Sequence, residues 1–155
     1  MFKTKAISYG GTAAVVTSTA MISGLSTAGA TRSVIVSALL IAALADNLAD
    51  ALSIHIFQES EQLDKKNAFI GTVTNFFTRL LLCISFVPIV GLLPLSHVAE
   101  VSIIWGLFLL ATLTYLVARE RKMKIMPEVL KHVVVAFVVV TISIMTGHWI
   151  GMLLS

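Results

Sequence analysis

The sequence predicts an all-α, polytopic membrane bundle of five transmembrane helices, and three observations carry that reading. Of 155 residues, 57% are hydrophobic and only 12% are charged, about half the charged share of a soluble domain. Mean hydropathy is +0.97. A spanning helix needs about 20 apolar residues, so the chain has length for about five spans and none for a separate soluble domain. The apolar residues fall in long runs divided by short polar connections, so residues 1–155 read as one transmembrane domain. The single cysteine, Cys83, excludes a disulfide framework, and no Cys/His zinc spacing occurs.

The five spans run over about residues 6–25, 33–57, 68–95, 101–118 and 129–154. The first is rich in small and hydroxylated residues (Gly10, Gly11, Thr12, Thr17, Ser18, Thr19) and follows Lys3 and Lys5. A cleaved signal peptide is the alternative there, with Ala28-Gly29-Ala30 as its cleavage-like site. The absence of a leucine-rich centre favours a helix packed closely against others, where backbones must approach. In the third span Pro88 removes a backbone hydrogen bond and predicts a kink, and Gly91 with Pro94 predicts its end. The fifth span carries Gly147 and Gly151 as a GxxxG pair, a weak signal for a dimer face.

The basic residues give the expected orientation. With the N-terminus in the cytoplasm, the inner side collects Lys3, Lys5, Lys65, Lys66, Arg119, Arg121, Lys122, Lys124 and Lys131, and the outer side only Arg32. The C-terminus then lies outside. The net charge of +3 reports topology and implies no nucleic-acid partner. Lacking a targeting extension, the chain is expected in a prokaryotic inner (plasma) membrane, with the lipid bilayer as its first partner. Trp105 and Trp149 are expected to anchor at an interface or in the outer leaflet.

The informative residues are the polar ones inside spans. Asp46, Asn47 and Asp50 interrupt span 2, where an acid near the helix centre costs about 2.5–3.5 kcal/mol on insertion scales. Asp46, Asp50, Ser53 and Phe57 share one face by helical spacing, which should therefore point into protein or a watery cavity. Asn75 and Arg79 lie in span 3. Asp46 with Arg79, and Asp50 with Asn75, are equidistant from a turn centred near residue 62 or 63, so Arg79 and Asn75 are the expected structural partners of the two acids. Asp50, left without a cation, is then the favoured ion or proton group, with Asp46 and Ser53 beside it. His55, Gln58, Glu59, Glu61 and Asp64 form an acidic cytoplasmic exit. His55 with Glu59 and Glu61 offers donors that suit Mn, Fe or Zn as a candidate metal entry, and a solvated helix end is the alternative reading. No nucleophile–base set is present, which predicts that the chain is not an enzyme and holds no permanent cofactor.

The stretch ADNLADALSIHIFQESE resembles the second span of the vacuolar iron transporter family. FVPIVGLLPL, PEVLKHVVVAF, TGHWIGMLL and GLSTAGATRSVIV are similar to its third-span ending, last span and first loop. The resemblance implies a homodimeric five-span carrier that moves Fe(II) or Mn(II) out of the cytoplasm in exchange for protons through a site at the dimer interface. Asp50, Asp46 and Ser53 fall on the family's motif positions. The departures are Ile54 in place of a methionine, no acid in YGGTAA, Arg79 near the proposed path, and a short run where the family has long cytoplasmic helices. The alternatives are a family-like membrane scaffold or accessory subunit without transport, or a carrier of a different substrate.

Overall fold

Small side chains on one helix and outward-facing apolar ones on the rest dictate the architecture. The computed structural model describes residues 2–60 and 65–154, with side chains described at residues 10–53, 55–57 and 69–154. Its helices are α1 (Phe2–Thr27), α2 (Arg32–Ser60), α3 (Lys65–Ile84), α4 (Val87–Leu92), α5 (Leu95–Glu120) and α6 (Ile125–Leu154). Among the described residues no strand occurs. Among the described residues four segments are long and apolar enough to cross a membrane: Arg32–Phe57, Phe69–Leu92, Leu95–Glu120 and Ile125–Leu154. They are compatible with an integral membrane protein. α1 is not among them.

Instead, α1 is the axis of the bundle. It packs on α2, α3, α5 and α6, while α2–α3 and α5–α6 form two hairpins that meet chiefly through α1 and α4. Gly10, Gly11, Ala14, Val15, Ser18, Thr19, Ala20, Ile22 and Ser23 are all buried along it. A helix surrounded by others needs small side chains so that neighbours can approach. Its hydroxyls are hidden by bonding back to their own helix: Thr19 donates to Val15 O, Ser23 to Thr19 O and Thr27 to Ser23 O, each at 2.8 Å. Each outer helix turns an i, i+4 ridge inward. On α2 it is Ile35, Leu39, Ala43, Asn47 and Ala51; on α3, Gly71, Asn75, Arg79 and Cys83; on α5, Val98, Ser102, Gly106, Leu110, Thr114 and Ala118.

Two expectations change here. The GxxxG pair of α6 is used inside the chain. A Cβ on Gly147 would overlap the backbone of Gly24, and one on Gly151 would reach only ordinary contact with Ala28. These glycines therefore bring α6 onto α1, and they mark no dimer face. The kink expected at Pro88 is a full break one turn earlier in effect, at Ser85 and Phe86, with Pro88 inside the first turn of α4. There its missing N–H removes no bond that the first turn would have made. Trp105 Nε1 donates to Ser85 Oγ at 3.1 Å and Ser85 Oγ donates to Leu82 O at 2.6 Å, so half-buried Trp105 ties α5 to the break. Arg32 donates to the carbonyls of Gly91 and Leu93, closing the far end of α4.

Candidate functional site

The inward ridges of α2 and α3 put a polar cluster among apolar side chains. Arg79 Nε donates to Asn47 Oδ1 at 2.7 Å, and its Nη1 is ion-paired with Asp50 Oδ2. Asn47 and Asn75 are 1% and 0% exposed, and the side chain of Arg79 is 6% exposed. The Asp50 side chain is 44% exposed, so the pair reaches from the bundle interior to its flank. A guanidinium at this depth needs a counter-charge and full hydrogen bonding, because no water in the hydrocarbon can supply either.

α1 closes the cluster from the other side. A Cβ on Gly10 would overlap the Asn75 side chain and crowd Arg79 Cδ, so only glycine lets α1 lie this close. The amide of Asn75 has no hydrogen-bond partner at either end, and Asn47 Nδ2 has none. One turn further along α3, Ser18 Oγ donates to Cys83 Sγ at 3.4 Å. Beyond that the interior is sealed by Ile22, Ile35, Leu39, Phe86 and Val90, all essentially inaccessible.

The expected pairing is therefore shifted. Arg79 binds Asp50 rather than Asp46, and Asn75 packs on Gly10 rather than serving Asp50. Asn47 lies on the inward ridge and takes the place expected for Asp46. The depth of the register was right within a residue, but the helix is rotated by about 100°, the angle between neighbours. The face holding Asp46, Ser53 and Phe57 is exposed, with Asp50 at its edge. Ser53 Oγ donates to Ala49 O at 2.9 Å, on its own helix.

Of the residues expected at the cytoplasmic exit, His55 is half-buried on α2. Glu61 and the side chain of Glu59 lie outside the described residues. Among the described residues no three His, Cys, Asp or Glu side chains converge as a metal cluster. Sequence reading missed Asn47 and Gly10. The signal for Asn47 was the i, i+4 row of Ile35, Leu39, Ala43 and Ala51 on either side of it.

No protein-family model, curated protein or solved structure matches this chain.

Proposed function

We propose that the chain is a membrane carrier whose working group is Asp50, held at rest by Arg79. The observation that carries this is the ion pair inside an apolar bundle beside the unpartnered Nδ2 of Asn47 and the unpartnered amide of Asn75. Ionisable groups at such depth are costly and are characteristic of ion and proton pathways. A proton or cation arriving at the exposed edge of Asp50 competes with the guanidinium, and Asn75 Oδ1, beside the Arg79 stem, offers an alternative acceptor. The resemblance to iron transporters makes Fe(II) or Mn(II), moved out of the cytoplasm against protons, the first cargo to test. Five spans with the N-terminus inside, in a prokaryotic inner membrane, belong to the same reading.

Two copies would meet across the outward face of α2. Asp46 is exposed there among Leu44, Leu48 and Leu52, which are 58–66% exposed, and an acid facing lipid carries the insertion cost of about 2.5–3.5 kcal/mol. A second chain covering that face would bring two Asp46 and two Asp50 carboxylates together, four acidic groups where the described residues of one chain cluster no three. A scaffold without transport is the second reading, favoured by the neutralisation of Asp50 by Arg79.

The test is flux of Fe(II), Mn(II) and Co(II) into proteoliposomes holding the native chain, Asp50→Asn or Asp46→Asn. Flux by the native chain and its loss in Asp50→Asn are expected. Absence of flux for every ion points to the scaffold, and flux indifferent to Asp50→Asn removes Asp50 from the pathway.

A further inference from the structure

The turn between α5 and α6 holds four cations and one acid in six residues: Arg119, Glu120, Arg121, Lys122 and Lys124, all exposed. α5 ends there in a Schellman arrangement, with Lys122 N–H on Arg119 O at 3.2 Å and Met123 N–H on Ala118 O at 2.9 Å. Lys122 occupies the left-handed position (φ 53°) that glycine fills best, as Gly29 (φ 79°) does at the matching end of α1. A lysine is thus kept where it strains the backbone, and the turn gains a charge by it. Met123, Ile125 and Met126 are exposed beside the cations, so apolar and basic groups share one level, as at a lipid headgroup boundary.

A second observation lies up the same hairpin. A cavity of about 130 Å³ opens between α1, α5 and α6, lined chiefly by Leu107, Leu110, Ala136, Phe137, Val140 and Ile144. Phe137 is 68% exposed, so the cavity meets the lipid-facing surface. Its two threonines are satisfied within their own helices, Thr19 on Val15 O and Thr141 on Phe137 O at 2.8 Å each. The cavity therefore offers hydrocarbon contacts and no free polar group. At 1.5 Å per residue its near edge stands about 14 Å (Arg119 to Leu110) to about 18 Å (Lys124 to Ala136) from the basic turn, and its far end about 30 Å (Lys124 to Ile144). The near edge lies close to the ~15 Å depth of one leaflet's hydrocarbon.

We propose that the α5–α6 hairpin holds one anionic phospholipid, its phosphate on the basic turn and one acyl tail running to the cavity. A topology anchor needs the charges alone. A lipid site needs the charges and the cavity at tail length, and both are present.

The test is native mass spectrometry of the full chain released from vesicles of equal phosphatidylglycerol and phosphatidylcholine. One retained phosphatidylglycerol per chain, in preference to phosphatidylcholine, is expected, and inorganic phosphate should not displace it. Arg121→Gln/Lys122→Gly/Lys124→Gln keeps the turn, because glycine suits its left-handed position. It should weaken retention on the order of a hundredfold, from about 1 kcal/mol per surface cation. Leu107→Trp, at the partly exposed wall of the cavity about 18 Å from Arg119, should also weaken retention while leaving the basic turn intact. Equal retention of the two lipids, or full retention by the triple variant, overturns the proposal. Unchanged retention by Leu107→Trp overturns the placement of the tail.

Discussion

Arg79 is the residue on which the interior depends, because it answers two polar side chains of α2 at once. Arg79→Ala would leave Asp50 without its cation and Asn47 Oδ1 without its donor. Removing one member of a buried pair typically costs about 3–5 kcal/mol, and the 44% exposure of Asp50 argues for the lower end or below. The double variant Arg79→Ala/Asp50→Ala should recover part of that loss, whereas Arg79→Ala/Asp46→Ala should not. Unfolding in mixed micelles measures both cycles, and rescue by Asp46→Ala instead would return the pairing to that residue. Neighbouring glycines give a second contrast. Gly10→Ala meets Asn75 and Arg79 head on, while a Cβ on Gly11 finds only the flexible ends of Leu82 and Leu113 at 3.2 Å. Gly10→Ala should therefore cost about 1–3 kcal/mol and Gly11→Ala much less, read as the difference between their melting temperatures.

The polar cluster was legible in the sequence by depth but not by direction. Acids and amides inside an apolar run announce themselves whatever the fold. Which way they point is set by packing, and in lipid the outward face of a helix is as apolar as the inward one. α2 illustrates this: Leu40, Ile41, Leu44 and Leu48 are exposed while Ile35 and Leu39 are buried. Charge alone then favoured the face of Asp46, and the quieter row of Ile35, Leu39, Ala43, Asn47 and Ala51 was the one that packed.

At the scale of helices, ends and crossings are governed by a few small residues. α1 and α5 both stop in Schellman turns, one with Gly29 and the other with Lys122. Lys122→Gly should raise stability by about 0.5–1 kcal/mol through relief of the left-handed strain, seen as a higher midpoint in thermal unfolding. α6 meets α1 where Gly147 lies on Gly24. Gly147→Leu should force those helices apart and cost about 1–3 kcal/mol, with the same measurement as its check, whereas Gly151→Ala should be nearly neutral because its nearest neighbour leaves ordinary space. The break after Ile84 was legible only as a kink, since Pro88 is visible in sequence but its place in the first turn of a new helix is not. The bond from Trp105 to Ser85 joins residues 20 apart and leaves no local trace.

For the whole molecule, composition declared the membrane and the arrangement declared the centre. Four helices satisfy the length and hydropathy of a span, and the remaining long helix is the one they surround. A helix rich in small and hydroxylated residues is suited to that place, because α2, α3, α5 and α6 pack around it. Alternation of the helices puts the turn at Gly29 and the turn at Met123 at opposite ends of the bundle. In a Cys83→Ala background, cysteines at those positions should react with an impermeant thiol reagent from opposite sides of sealed vesicles. Labelling of both from one side would contradict the three crossings, α2, α3–α4 and α5, that separate them.

The central position of α1 also orders events during synthesis. The helix made first acquires its last neighbours only when the final hairpin emerges, some seventy residues later. Until then its hydroxylated flank has no cover on the α5–α6 side, and a chain stopped after α4 should be an early target of membrane quality-control proteases. The same arrangement makes the protein divisible. Residues 1–93 and 94–155 expressed as two polypeptides each contain a self-contained hairpin, and they should find one another in the bilayer along the seam where Gly24 receives Gly147.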